Sequence, residues 1–285
     1  MSQNGLAPEL EILEKIYNDN QSSQDLINFF FSLHENKNIR DKQLNNLNFS
    51  EKLSNDSDFK IIFLLFYAAI IYHIAELMKI KNLETPRNIV FSGTGSKTLN
   101  ILDQDTNRYG SLKKLFESIF NKVYDVNDSN IIVKASPNPK EVTCKGGFYI
   151  EKEMDNLNHT DLVKVNIGNK LSATVQSVTN VTADTIKYKH LNKTYYNGVI
   201  DNVNDFYSMF KELSVELNFK DKFDVSNESI KVFNKIKSDD LMDYLMQGVD
   251  NLKSDTVEED ALGETLFFFP LIGKLNELAT EIVNK

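Results

Sequence analysis

The sequence predicts an α/β fold, and three observations predict it. Across residues 58–153, helix-like and strand-like stretches follow in the order helix, strand, helix, strand, helix, which builds a parallel sheet with helices on its faces. The first strand-like run, Ile89-Val90-Phe91 with Asn88 leading in, is apolar throughout and stops at a small-residue loop, Ser92-Gly93-Thr94-Gly95-Ser96. The chain has 285 residues, 41% hydrophobic and 11% aromatic, which is ample for a core. Ligands of such folds bind at the carboxyl ends of strands. That loop and the turn Ser136-Pro137-Asn138-Pro139 both fall there.

Four regions follow in order. Residues 1–57 read as helices with polar joints: Leu10, Leu13, Ile16 and Tyr17 recur at helical spacing, and Leu26 to Leu33 form a second apolar cluster. Residues 58–153 form the α/β core. Its first helix, about 59–80, is apolar on nearly all sides and ends before Pro86, which prevents continuation. The strand and glycine loop come next. Ser111 then caps a strongly amphipathic helix in which Leu112, Leu115, Phe116, Ile119, Phe120 and Val123 share one face. Ile131-Ile132-Val133 makes the second strand. Residues 154–200 read as a small antiparallel β insert: Val163, Val165 and Ile167 alternate with polar residues, Thr174 to His190 is rich in Val, Thr and Tyr, and Asn197-Gly198 is a turn pair. Residues 201–285 are helical. Val203, Phe206, Phe210, Leu213 and Leu217 line one face, Leu241, Tyr244, Leu245 and Val249 another after a Ser238-Asp239-Asp240 cap, and Glu258 to Lys285 makes a last helix or pair, broken near Pro270.

Bulk properties exclude several classes. A net charge of −9 and a pI near 5.1 argue against nucleic-acid binding, and no basic run is interleaved with aromatics. The lone cysteine, Cys144, excludes an internal disulfide framework and suits a reducing compartment. The first residues carry neither a basic nor an apolar leader region, so a cytoplasmic protein is expected. Ile61 to Met78 approaches the length of a membrane span. It contains Tyr67, Tyr72, His73 and Glu76, however, and reads as a buried core helix.

The candidate site is Ser92, Gly93, Thr94, Gly95, Ser96 and Lys97. A strand that breaks into small residues and re-forms as a helix offers free backbone N–H groups to an anion and lets a ligand approach without a Cβ in the way. The alternative is a strand-to-helix turn that needs Gly only for its geometry. A phosphate loop is excluded by spacing, because Ser96, not Gly, precedes Lys97.

Ile89 to Ser96, after a long buried helix, resembles the adenosine motif of the actin-like ATPase superfamily, which has a ribonuclease-H-like fold. Some forty residues on, Pro139-Lys140-Glu141-Val142-Thr143-Cys144-Lys145-Gly146-Gly147 resembles that family's second connecting helix. The resemblance implies that Ser92, Gly93, Thr94, Gly95 and Ser96 touch the nucleoside of ATP or ADP, with Lys97 near adenine or phosphate. Pro139, Lys140, Glu141, Gly146 and Gly147 would form a hinge. It covers about 58–150. One departure is Gly93-Thr94 where the family has Gly-Gly. A larger one is the absence of the Asp-x-Gly hairpins that hold Mg²⁺. The resemblance therefore implies a second-half domain with helical additions, binding adenine nucleotide as a conformational switch in the manner of chaperone or cytoskeletal members. Such a half has no catalytic residue of its own. Mg²⁺ would come through a missing amino-terminal half, an expected partner along with other proteins. The competing expectation is a non-catalytic scaffold or interaction protein that retains the fold and uses Gly93 and Gly95 only as turn residues.

No other chemistry is indicated. His34, His73, His159 and His190 are scattered, with no metal-type pairing. Cys144 has no nearby His and reads as a packed residue. Glu258-Glu259-Asp260 complements a helix dipole. The phenylalanines at 29–31 and 267–269 belong to a core or to an inter-domain surface.

Overall fold

The computed structural model describes residues 53–136, 193–236, 239–255 and 266–284. The chain divides into two compact units, residues 1–56 and 57–285. Every element below belongs to the second.

The centre of this unit is α1 (Lys60–Ile80), and eleven of its residues are buried. Its stretch of mean hydropathy 2.1 is long and apolar enough to cross a membrane, yet in this fold it is a core helix with other helices packed around it. A Schellman motif ends it. Asn82 takes the left-handed conformation at φ 54, Leu83 N–H donates to Met78 O at 2.9 Å and Asn82 N–H donates to Lys79 O at 3.0 Å. The stop therefore precedes Pro86, the residue expected to make it.

Next come β1 (Asn88–Phe91), a 3-10 turn (Thr94–Thr98), α2 (Leu99–Leu102), α3 (Gly110–Tyr124) and β2 (Ile132–Ala135). All six apolar positions of the predicted α3 face are buried. Its cap is not Ser111 but the Asp103 carboxylate, which accepts from Ser111 N–H at 2.9 Å and from Leu112 N–H at 3.3 Å. Tyr109 precedes the helix at φ 44, an uncommon conformation for a bulky residue, with its hydroxyl on Asn100 Oδ1 at 3.0 Å.

The remaining helices are α4 (Lys193–Glu216), α5 (Phe219–Phe223), α6 (Asn227–Lys235), α7 (Leu241–Asp255) and α8 (Phe268–Val283). Helices α2, α3, α4, α6 and α8 all pack against α1. Ser226 caps α6 by accepting from Ser229 N–H at 3.0 Å, and Ser229 Oγ donates to Asp58 Oδ1 at 2.8 Å. An aromatic cluster of Tyr72, Phe206, Phe210, Phe219, Phe233 and Phe267 fills the space between α1, α4 and the C-terminal helices.

The α/β expectation is overturned. β1 and β2 pair in parallel, Asn88 opposite Ile132 and Phe91 opposite Ala135, and among the described residues they are the whole sheet. One face is covered: Ile89, Phe91 and Val133 pack on the helical core. On the other, Val90 is 59% and Ile132 48% exposed. A doubly wound sheet buries both faces; here the helices surround α1 instead. One strand–helix–strand unit, correctly read, thus sits on a predominantly helical body. This architecture is not that of an actin-like ATPase, and the resemblance fails as a statement of fold.

Two local expectations also fail. The β insert was expected to reach residue 200, but residues 193–200 are the first turns of α4, where Tyr196, Val199, Ile200 and Val203 recur at helical spacing. Residues 154–192 lie outside the described residues, as do the hinge residues Pro139, Lys140, Glu141, Gly146 and Gly147 and the cysteine Cys144. Pro270 does not break the last helix. It lies buried in the first turn of α8, where its missing N–H has no intrahelical acceptor to lose.

Candidate functional site

The predicted loop is folded onto itself. Gly93 bends the chain at φ 83, a conformation side chains with a Cβ disfavour. Its carbonyl accepts from Ser96 N–H at 3.1 Å and Ser96 Oγ at 2.8 Å. Gly95 O accepts from Thr98 Oγ1 at 2.7 Å and Tyr67 Oη at 3.4 Å, and Tyr67 Oη also contacts Thr98 Oγ1. Burial pushes the Tyr67 phenol up, opposed by its bond to Thr98. Ser92 and Gly95 are exposed, Ser96 is buried and Lys97 is half-buried with an interaction of its own. The 3-10 turn that includes Thr94 carries the chain from β1 into α2 and against α1. The geometry is that of a strand-to-helix turn tied down by Tyr67. With the actin-like fold overturned, the reading of this chain as the adenine-nucleotide half of a chaperone-like ATPase is overturned too.

A groove between two of the C-terminal helices has the shape of a binding site. It lies between α7 and α8, has a volume of about 640 Å³, and is walled by Tyr244, Phe269 and Ile272. Two helical glycines make it. A Cβ added at Gly248 would fall far inside van der Waals contact of the Phe269 ring, and one added at Gly273 would do the same to the Tyr244 ring. Each aromatic ring thus lies on the other helix's glycine, so the helices run antiparallel in close contact. Ile272 is 52% exposed beside them. Gln247, Asn251, Asn276 and Thr280 add amide and hydroxyl groups.

Lys274 holds the wall in place. Its side chain is 1% exposed, and Nζ lies 2.7 Å from Glu277 Oε2, 3.7 Å from Asp240 Oδ2 and 5.6 Å from the centroid of the Tyr244 ring. Its charge is matched inside the protein, and it fixes both Tyr244 and Glu277. Beneath the start of α8, His73 stacks on Phe267 with centroids 5.1 Å apart and planes 9° apart. Its Nδ1 is buried without a hydrogen-bond partner, and burial lowers its pKa to about 4.

The arrangement is suited to binding. Among the described residues no three His, Cys, Asp or Glu side chains converge as metal ligands would. Among the described residues, the groove's polar groups are neutral amides and hydroxyls or carboxylates. Sequence reasoning placed Tyr244 on a helix face and Phe269 in a core or surface cluster, without bringing them together. The available signal was the pair of glycines inside α7 and α8, because mid-helix glycine carries a penalty of about 1 kcal/mol that close packing can repay.

One stability result follows here. Gly273→Ala ought to stabilise an ordinary helix, but the new Cβ meets the Tyr244 ring near its attachment. A net loss of about 1–3 kcal/mol is expected from overpacking, measured by urea denaturation. Adding Tyr244→Ala should recover part of that loss; a Gly273→Ala chain as stable as the parent would show that the helices do not approach this closely.

The chain matches no family model, no curated protein and no solved structure.

Proposed function

We propose that this chain is a protein-interaction module and that the α7–α8 groove receives a segment of a partner protein. The observation that carries this reading is the reciprocal packing of Tyr244 and Phe269 on Gly273 and Gly248, which leaves a preformed trough with exposed Ile272 on its lip. Grooves between helices that combine rigid aromatic walls with an unpartnered aliphatic side chain suit an extended or helical segment. Fixed rings cost little ordering entropy on binding.

A photo-crosslinking residue placed at exposed Asn276 of the full chain tests this in cells. A discrete protein adduct is expected, lost when Ile272→Asp is added and kept when Val90→Asp is added on the exposed sheet face. Both substitutions replace exposed side chains, so thermal melts of the two variants should match the parent. An adduct indifferent to Ile272→Asp, or none at all, rejects the groove as the docking site.

A further inference from the structure

Chemical character changes along the groove. Phe269 and Ile272 stand near the start of α8, whereas Thr280 and Glu281 stand near its end. At 1.5 Å per residue, Phe269 and Glu281 are separated by about 18 Å, a little over three helical turns. One end is therefore apolar and the other carboxylate-bearing. Glu277 already holds Lys274, but Glu281 is exposed and has no ion-pair partner among the described residues. No Lys or Arg side chain lines the groove among the described residues, and the chain as a whole carries −9.

Glu281 is also badly placed for its own helix. The last turn of an α-helix presents free carbonyls and a partial negative charge, so cations are favoured there and carboxylates are not. The last turn of α8 contains no basic residue. A carboxylate in that position, beside a groove with no cation among its described residues, concentrates negative potential at one end of a trough whose other end is apolar. The same net charge disfavours a second copy of this chain as the occupant, since two such copies repel.

We infer that the occupant is a short amphipathic helix of about three turns, with an apolar anchor among Tyr244, Phe269 and Ile272 at one end and a lysine or arginine against Glu281 at the other. This rests on the groove being the docking site. Partner recognition is then divided: the aromatic end supplies affinity and the Glu281 end supplies orientation and charge selection.

The test uses the full chain and two fluorescein-labelled, Ala-based helical peptides of about fourteen residues, matched to the three-turn span. Both carry a Leu-Phe anchor at one end; one carries two arginines at the other end and its twin two glutamates. Binding is followed by fluorescence anisotropy at low and high salt. The arginine peptide should bind more tightly, with its advantage shrinking as salt screens the exposed charges. Glu281→Lys should weaken the arginine peptide about tenfold and improve the glutamate peptide, while Ile272→Asp abolishes binding of both.

Equal binding of the two peptides, unchanged by Glu281→Lys but lost in Ile272→Asp, overturns the charge assignment and leaves the groove intact. Binding of neither peptide, or binding indifferent to Ile272→Asp, overturns the groove itself. Sedimentation equilibrium at the same concentrations covers the remaining occupant. A dimer that dissociates on Ile272→Asp would put a second copy in the groove and overturn the inference.

Discussion

Phe267→Ala is expected to destabilise the second unit by about 3–5 kcal/mol, the range for emptying a large aromatic site in a packed core. Phe267 is fully buried and meets four rings: His73 at 5.1 Å, Phe268 at 5.3 Å, Tyr72 at 5.9 Å and Phe206 at 6.0 Å. These come from α1, α4 and α8, so no single side chain can swing in to fill the space. Tyr72 is fixed by donating to Asn202 Oδ1 at 2.8 Å, and Phe206 packs against Phe210 and Tyr207. The cavity therefore persists. At about 2–4 °C per kcal/mol for a unit of this size, the melting temperature should fall by roughly 10 °C. Because Phe267 immediately precedes α8, the groove should lose peptide affinity in the same variant at temperatures where the parent still binds. A melt within a degree or two of the parent would mean that the aromatic cluster is not the core's keystone.

Acid should weaken the fold through His73 before it acts on the carboxylates. In the unfolded chain this imidazole titrates near its ordinary value of 6.5, whereas burial holds the folded one to about 4. Neither the Phe267 nor the Phe268 ring can accept a proton from it, and Nδ1 has no partner. As the pH falls below 6.5 the unfolded state takes up a proton that the folded state refuses, and stability drops until about pH 4, where both states are protonated. The separation corresponds to roughly 3 kcal/mol. Above pH 6.5 the residue contributes no pH dependence. His73→Phe keeps the stacking and removes the titration. Plotted against pH, the difference in unfolding free energy between parent and variant should slope between 6.5 and 4 and be flat above. A flat difference throughout would show that the imidazole reaches solvent or a hidden acceptor.

Legibility in the sequence followed the range of the physics. α1, β1, α3 and β2 were readable because local hydrophobic pattern determines them: the apolar run of 60–80 and the six-residue stripe of α3 each read as a helix. Arrangement was not readable. A strand–loop–helix–strand order describes a two-stranded ribbon on a helical body as well as one slice of a large parallel sheet. Only the exposure of Val90 and Ile132 separates the two. The loop Ser92–Lys97 supported the family resemblance for a related reason, since small residues that admit a phosphate are also those that allow a self-bonded turn. Asp103 could not be seen as the α3 cap because its donors lie eight and nine residues ahead. The groove was least legible of all. It arises from the register of two helices, and the pattern within each helix reports only which side faces inward.

The position of α1 has a consequence for how the protein is made. Its cover comes from chain synthesised later: α3 is complete at Tyr124, but α4 begins only at Lys193 and α8 at Phe268. Once Ile80 leaves the ribosome, roughly 190 residues must follow before α8 can close over it, which at 5–20 residues per second takes on the order of 10–40 s. For that interval the part of this 21-residue helix that α4 and α8 cover stays open, on a segment of a length and hydropathy that a translocon or a holdase would also bind. The finished fold buries eleven of its residues, so less of its apolar surface is open than during biogenesis. Ribosome-bound chains halted before Phe268 should leave residues 60–80 open to protease, and chains extended past Val283 should not.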